Sequence, residues 1–287
     1  MPRVLVLGAR GLLGSAVYKK LTDDKSLETI GTSSKEENLL VKFNVFEDDL
    51  YEVLKSIGPT HIVNCVGKIP QKNLHPRVLN RSQAMFRLNT FFPQKVSRWA
   101  VKNGVTVIQI QTDCVFRGTR GNYDEDSIKY PSDLYSLSKI LGEFKGNSQV
   151  NIRTSIVGNS AEDSSSLFGW FRNLPRNSKV NGFVNHLWNG TTTNVFAKLI
   201  EGVINSGNDK PLNAHLVPRN SLSKFEMLEI FKEILDRSDI SITPITSPKP
   251  IDRRLSTNNQ KLNEALWSLA GYKSIPDIRD LLRQTLK

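Results

Sequence analysis

The run Val4-Leu5-Val6-Leu7-Gly8-Ala9-Arg10-Gly11-Leu12-Leu13-Gly14 constrains the fold of this 287-residue chain more than any other stretch. Four consecutive apolar residues fit a strand buried on both faces, as in a parallel sheet. Glycines at 8, 11 and 14 then turn the chain into a helical pattern over residues 12–21. Their spacing differs from the G-x-G-x-x-G fingerprint, yet the mechanics are shared: a tight turn, backbone close to a pyrophosphate, and a helix packed on the strand. With a strand before and a helix after, the turn reads as a cofactor cradle rather than a loop that binds nothing. Gly8, Arg10, Gly11, Leu12, Leu13 and Gly14 form its cofactor-binding set.

The pattern that follows alternates. Strand-like segments lie at 28–32, 39–43, 61–66, 105–110 and 151–153, with helical spacing at 47–56, 77–102 and 134–144 between them. Such alternation builds an α/β fold with a Rossmann-type, doubly wound parallel sheet. Beyond about residue 155 the pattern loosens. Helices are expected at 164–174 and 193–204 around a loop containing Trp188-Asn189-Gly190, and Ser223-Lys224-Phe225-Glu226 is a capping box opening a helix through residue 235. A Pro-rich linker is expected at 244–250, before the basic Asp252-Arg253-Arg254. The expected organisation is an NADP(H)-binding domain over 1–155 and a smaller C-terminal α/β substrate-binding lobe over 156–287, with some segments returning to the first domain.

The chemistry centres on Tyr135-Ser136-Leu137-Ser138-Lys139. Residues four apart share a helix face, so the phenol and the ammonium can act as one unit. The cation favours the phenolate and is expected to lower the tyrosine pKa, making Tyr135 a proton donor to a carbonyl oxygen that receives a hydride. Thr112 ends a strand and faces the crevice where α/β sheets bind ligands. Cofactor choice turns on Gly31-Thr32-Ser33-Ser34-Lys35, where no acid appears until Glu36. Arg10 and Lys35 are set to pair with a 2′-phosphate and Ser33 and Ser34 to hydrogen-bond it, so NADPH is expected over NADH.

These segments resemble extended short-chain dehydrogenase/reductases. GARGLLG, Asn64-Cys65-Val66-Gly67, Leu88-Asn89, Gln111-Thr112-Asp113-Cys114-Val115-Phe116, Asp133 to Glu143 and Arg153-Thr154-Ser155 carry the likeness, which is specific through about residue 158. Within them the chain is most similar to the dTDP-4-dehydrorhamnose reductase-like branch. The resemblance implies that Tyr135 donates the proton, Lys139 holds the nicotinamide ribose, Thr112 bonds the substrate carbonyl and Asn89 supports the site. It also implies cofactor contacts at Asn64, Val66, Gly67 and Asn89, and substrate contacts at Asp113 and Cys114; Trp188 and Asn189 are candidates for lining the substrate pocket, with a bare turn holding a buried aromatic as the equal alternative. Arg253 and Arg254 are candidates for clamping a substrate diphosphate, with a solvated loop pair as the equal alternative.

Sugar-nucleotide dehydratases of the superfamily carry Thr-Asp-Glu where this chain has Thr112-Asp113-Cys114. Without that glutamate no base for a C5 proton is evident, and simple ketone reduction is expected. The reading is therefore an NADPH-dependent reductase of a nucleotide-linked 4-keto-6-deoxy sugar, in deoxysugar or surface-polysaccharide biosynthesis. A non-catalytic NADP-binding regulatory subunit and an epimerase or dehydratase are the alternatives. Ile156 stands where dehydrorhamnose reductases usually have tryptophan, which leaves the sugar open. The tail 279–287 has no glutamate, so a metal-linked dimer of the kind some relatives form is not expected.

Composition narrows the classes further. A hydrophobic share of 38% and a charged share of 23% describe an ordinary globular chain. Neither a membrane span nor a leader is expected, so the chain reads as cytoplasmic. The net charge of +11 is dispersed, with no nucleic-acid module, and reads first as a solvated surface, while an enzyme that draws in anionic cofactors and substrates fits it too. Cys65 and Cys114 lack metal-ligand spacing and read as buried thiols, and the four histidines are scattered, so no metal is expected. A nucleotide sugar is the expected partner, with a second copy of the chain as a candidate.

Overall fold

A computed structural model describes residues 1–69, 81–159, 166–207 and 210–286. The first half alternates β1 (Arg3–Leu7), α1 (Leu12–Asp23), β2 (Glu28–Ser33), β3 (Leu40–Lys42), α2 (Leu50–Ile57) and β4 (His61–Asn64). It continues with α3 (Arg81–Phe86), a π-helical turn over Arg87–Phe91, α4 (Phe92–Asn103), β5 (Thr106–Gln111), α5 (Leu134–Gly142) and β6 (Gln149–Arg153). The start of the expected helix 77–102 and of the expected helix 164–174 lies outside the described residues.

All pairings in the main sheet are parallel, in the order (Leu212–His215)-β6-β5-β4-β1-β2-β3. The order reverses between β1 and β4, and the crevice outside the carboxyl ends of these strands is where such sheets bind ligands. Gly8, Cys65, Thr112 and Thr154 each follow one of these strand ends.

The continuous apolar runs are explained by two cores. Val4 and Val6 of β1 enter one cluster, and Leu5 and Leu7 enter the other on the opposite face. The first cluster continues without a break into Phe168, Phe171, Phe231 and Trp267 of the C-terminal half. The helix Thr193–Asn205 lies along α1, where Glu201 pairs with Lys20 at 2.7 Å, and the strand Leu212–His215 completes the sheet edge.

The expected linker at 244–250 begins differently. Pro244 and Ile245 belong to a strand, Ser241–Ile245, paired in parallel with Lys179–Phe183. This two-stranded sheet gives Pro244 an edge position, where the missing N–H costs nothing. Among the described residues no helix is long and apolar enough to cross a membrane.

Because one core joins both halves, urea unfolding followed by tryptophan fluorescence and by far-UV circular dichroism should give one coincident transition. Phe231, fully buried and 5.0 Å edge-on from Phe168, anchors the C-terminal part. Phe231→Ala should cost about 3–5 kcal/mol and shift that whole transition. A variant that unfolds in two separate steps would show the halves to be independent.

Candidate active site

The glycine turn has the shape a dinucleotide cradle needs. Gly8 sits at φ +78°, a conformation that L side chains rarely adopt, and its N–H donates to Thr32 Oγ1 at 3.1 Å. A Cβ on Gly14 would stand 2.0 Å from the Gly8 carbonyl oxygen, so only glycine lets α1 pack onto the turn. Gly11 caps α1 without a side-chain bond, which leaves the first N–H groups of the helix open to an anion. Leu12 and Leu13 open that helix; Leu13 turns its side chain into the first core, so any cofactor contact it makes is through its backbone.

A cleft of about 330 Å³ opens beside this turn, lined by Gly8, Arg10, Ser33, Ser34, Val66 and Gly67 among others. Lys35 is exposed and does not line it. The sequence reading missed Glu37, which folds back onto this corner: its carboxylate meets Arg10 Nη1 at 2.8 Å and accepts from Ser33 Oγ at 3.4 Å. Nothing in the spacing after β2 marks it, because a short turn brings it back. Asn64 is turned inward, donating to Gln109 Oε1 at 2.8 Å and accepting from Val66 N–H at 3.1 Å, so it shapes the loop rather than lining the cleft.

The catalytic candidates converge at the end of β5. Thr112 caps the 3₁₀ turn Asp113–Val115, accepting from Cys114 N–H at 3.1 Å, and its hydroxyl acts on the Tyr135 phenol in favour of the phenolate. Asp133 caps α5 through a capping box with Ser136, which fixes the helix that carries Tyr135 and Lys139. Lys139 Nζ lies 3.2 Å from where a Cβ on Gly67 would be, so the ammonium and the cleft floor are adjacent. Asn89, in the π-helical turn, donates to Lys68 O at 2.9 Å and Ser138 Oγ at 3.0 Å and accepts from Lys68 N–H at 2.8 Å. Its amide is fully used in tying the loop after β4 to α5.

Burial governs the charge states. The Tyr135 phenol is pushed well above its ordinary value, first by burial and then by Cys114, with Asp113 adding to it; the expected depression is not what the structure gives. Lys139 is pulled below its ordinary value by burial, against the neighbouring Cys114 and Glu143. Tyr135 is therefore held as a phenol, the form from which it can donate. Cys114 is pushed up to about 12, chiefly by burial and then by Asp113, so it is no base at neutral pH.

On the substrate side, Arg253 and Arg254 part company. Arg253 Nε donates to Phe116 O at 3.1 Å and its charge acts on Cys114. Arg254 makes a bidentate pair with Asp252 at 2.8 and 2.7 Å and lines a separate pocket of about 450 Å³. Asn189 is spent on the backbone of Leu255, donating at 2.7 Å and accepting at 2.9 Å. Trp188 is buried, with Lys224 Nζ 5.8 Å from its ring centre. Lys224 also escaped the sequence reading, hidden behind its capping box. Among the described residues no group of His, Cys, Asp and Glu is arranged to hold a metal ion.

A family model described as RmlD substrate binding domain matches residues 2–287. Methionine adenosyltransferase 2 subunit beta of Danio rerio is 33% identical over 144 residues, 49% of this chain and 42% of that protein. A dTDP-4-dehydrorhamnose reductase of Aggregatibacter actinomycetemcomitans is 28% identical over 144 residues, 50% of this chain and 46% of that protein. Both matched stretches thus span less than half of the relatives' length. The crystal structure of a dTDP-4-dehydrorhamnose reductase from Bacillus anthracis in complex with NADP superposes with a TM-score of 0.77 at 18% identity, covering 99% of this chain and 98% of that one, and carries the fold.

Both thiols are held neutral, Cys65 by burial up to about 12 as well. Alkylation requires thiolate, so iodoacetamide at pH 8 should label the native protein many-fold more slowly than the denatured chain. Rapid native labelling of Cys114, mapped by mass spectrometry, would refute its assignment as an inert wall residue.

Proposed function

This chain belongs to the RmlD substrate-binding-domain family, and we propose that it is an NADPH-dependent reductase of a nucleotide-linked 4-keto-6-deoxy sugar, acting in deoxysugar or surface-polysaccharide biosynthesis. The observation that carries this reading is the convergence of Thr112, Tyr135 and Lys139 beside a glycine cradle in which Gly8 takes a φ of +78° and Gly14 leaves no room for a side chain. The cradle, the open start of α1 and the cleft fit a dinucleotide: Arg10, Ser33 and Ser34 would hold the adenosine end and Gly67 and Lys139 the nicotinamide end. When bound, reduced nicotinamide supplies the hydride.

The protein's residues do the rest. Thr112 and Tyr135 receive the substrate carbonyl oxygen by hydrogen bonding. As negative charge develops there, Tyr135 transfers its phenolic proton to that oxygen, and the Lys139 ammonium steadies the phenolate left behind. Burial raises the cost of that phenolate, which makes the neighbouring cation necessary rather than incidental. The neutral Cys114 leaves no base at the position a dehydratase needs.

A second reading, a non-catalytic NADP-binding subunit, draws support from the relative named as a subunit of methionine adenosyltransferase. The two readings part on turnover. A reductase consumes one NADPH per sugar reduced, whereas a subunit binds NADPH without consuming it against dTDP-, UDP- or GDP-linked 4-keto sugars. Product formed without net NADPH consumption would sink the reductase assignment and point to an epimerase or dehydratase.

Three substitutions test the parts. Tyr135→Phe should lower turnover by roughly two to four orders of magnitude while NADPH affinity stays within a few-fold. Arg10→Ala should erase most of the preference for NADPH over NADH, a loss of about 1.5–3 kcal/mol. Glu37→Gln should strengthen NADPH binding, because Arg10 no longer has to leave a carboxylate. Equal affinities of the wild-type protein for NADPH and NADH would overturn this account of the 2′-phosphate site.

A further inference from the structure

Lys224 opens the helix Lys224–Ile234 in the C-terminal half, where the Ser223–Glu226 capping box fixes its backbone. Its side chain reaches toward the other half of the molecule. The ammonium lies 5.8 Å from the Trp188 ring centre and 3.7 Å from Met227 Sδ, and it acts on Asp113 and Cys114, the two residues that follow Thr112. Among the described residues no carboxylate comes within ion-pair distance of it. Burial pulls its pKa below the ordinary lysine value, the mark of a cation partly stripped of water.

A desolvated ammonium without a carboxylate partner is costly, and the cost is relieved when an anion arrives. Arg253 also acts on Cys114, and it too has no carboxylate at ion-pair distance among the described residues. Asp113 acts on the ammonium as an opposite charge but is not at ion-pair distance, so it offsets that cost only in part.

We propose that Lys224 is a substrate-binding residue that takes an anionic oxygen on the sugar side of the substrate, either the sugar-proximal phosphoryl group or a carboxylate borne by the sugar. The proposal rests on the nucleotide-sugar reading above and adds the charge of the group that stands next to the reacting carbonyl. The Trp188 ring and Met227 Sδ are the neighbours of the ammonium within the C-terminal half, and neither carries a charge that a ligand would have to displace.

Binding can be measured without turnover. Isothermal titration of the wild type, Lys224→Met and Lys224→Arg would use UDP and dTDP, their monophosphates, UDP-glucose, UDP-glucuronate and NADPH. If the phosphoryl group is the partner, Lys224→Met weakens the diphosphates and both UDP-sugars roughly ten- to a hundred-fold and spares the monophosphates. If a sugar carboxylate is the partner, only UDP-glucuronate weakens. In either case Lys224→Arg recovers most of the affinity, and unchanged NADPH binding shows that the variants are folded. Should Lys224→Met bind every ligand as the wild type does, the proposal is overturned while the reductase reading stands. A wild-type protein that binds none of the nucleotides or nucleotide sugars removes the reading itself, and the role of Lys224 with it.

Discussion

The buried guanidinium of Arg153 is the constraint on which the site depends. It lies at the end of β6 with 3% of its side chain exposed. It donates to Thr112 O at 2.6 Å, Gln111 Oε1 at 2.8 Å and Glu143 Oε1 at 2.7 Å, and packs over the Phe116 ring at 5.4 Å. Removing one member of such a buried pair strands a charge and costs several kcal/mol, so the geometry is held tightly. Through one side chain, the end of β5, the turn with Thr112 and the end of α5 are locked together. Glu143 also pairs with Lys129 and acts on Lys139, so the same knot that places the hydroxyl helps keep the ammonium charged.

Burial and neighbouring negative charge act together at Tyr135 and outweigh the hydroxyl of Thr112. The helical spacing of Tyr135 and Lys139 reads as a recipe for an acidic phenol, because on paper only the cation is near. In the folded chain the phenol is also desolvated and faces Cys114 and Asp113, so the neutral form dominates. That outcome suits a donor. A phenol that ionised early would have no proton to give when the alkoxide forms.

Local motifs were the legible part. The apolar run of β1, the glycines and the Tyr135–Lys139 spacing each encode their structure within about ten residues, so the sheet and its crevice follow from pattern alone. Pro244 shows the limit: prolines read as a linker until an edge strand supplies a position where a proline is harmless. Glu37, Glu143, Arg153 and Lys224 reach the site from a turn, a helix end, a strand end and a capped helix. Their roles come from chain segments meeting in space, which no spacing rule records. The adjacent Arg253 and Arg254 cannot be told apart in sequence, yet Asp252 takes Arg254 and leaves Arg253 toward Cys114.

The two ends of the site differ in how their charge is satisfied. At the cofactor end Arg10 already holds Glu37, so an incoming 2′-phosphate must exchange one anion for another, and the gain is the difference between two charge-assisted contacts. At the proposed substrate end no carboxylate among the described residues lies at ion-pair distance from Lys224 or Arg253, so an anion there would displace none. An exchangeable end suits a cofactor that must leave after every turnover. An unpaired end would suit recognition, since a ligand lacking charge at that position leaves a half-buried cation unsatisfied. On the proposed function, the resulting asymmetry would separate cofactor turnover from substrate choice.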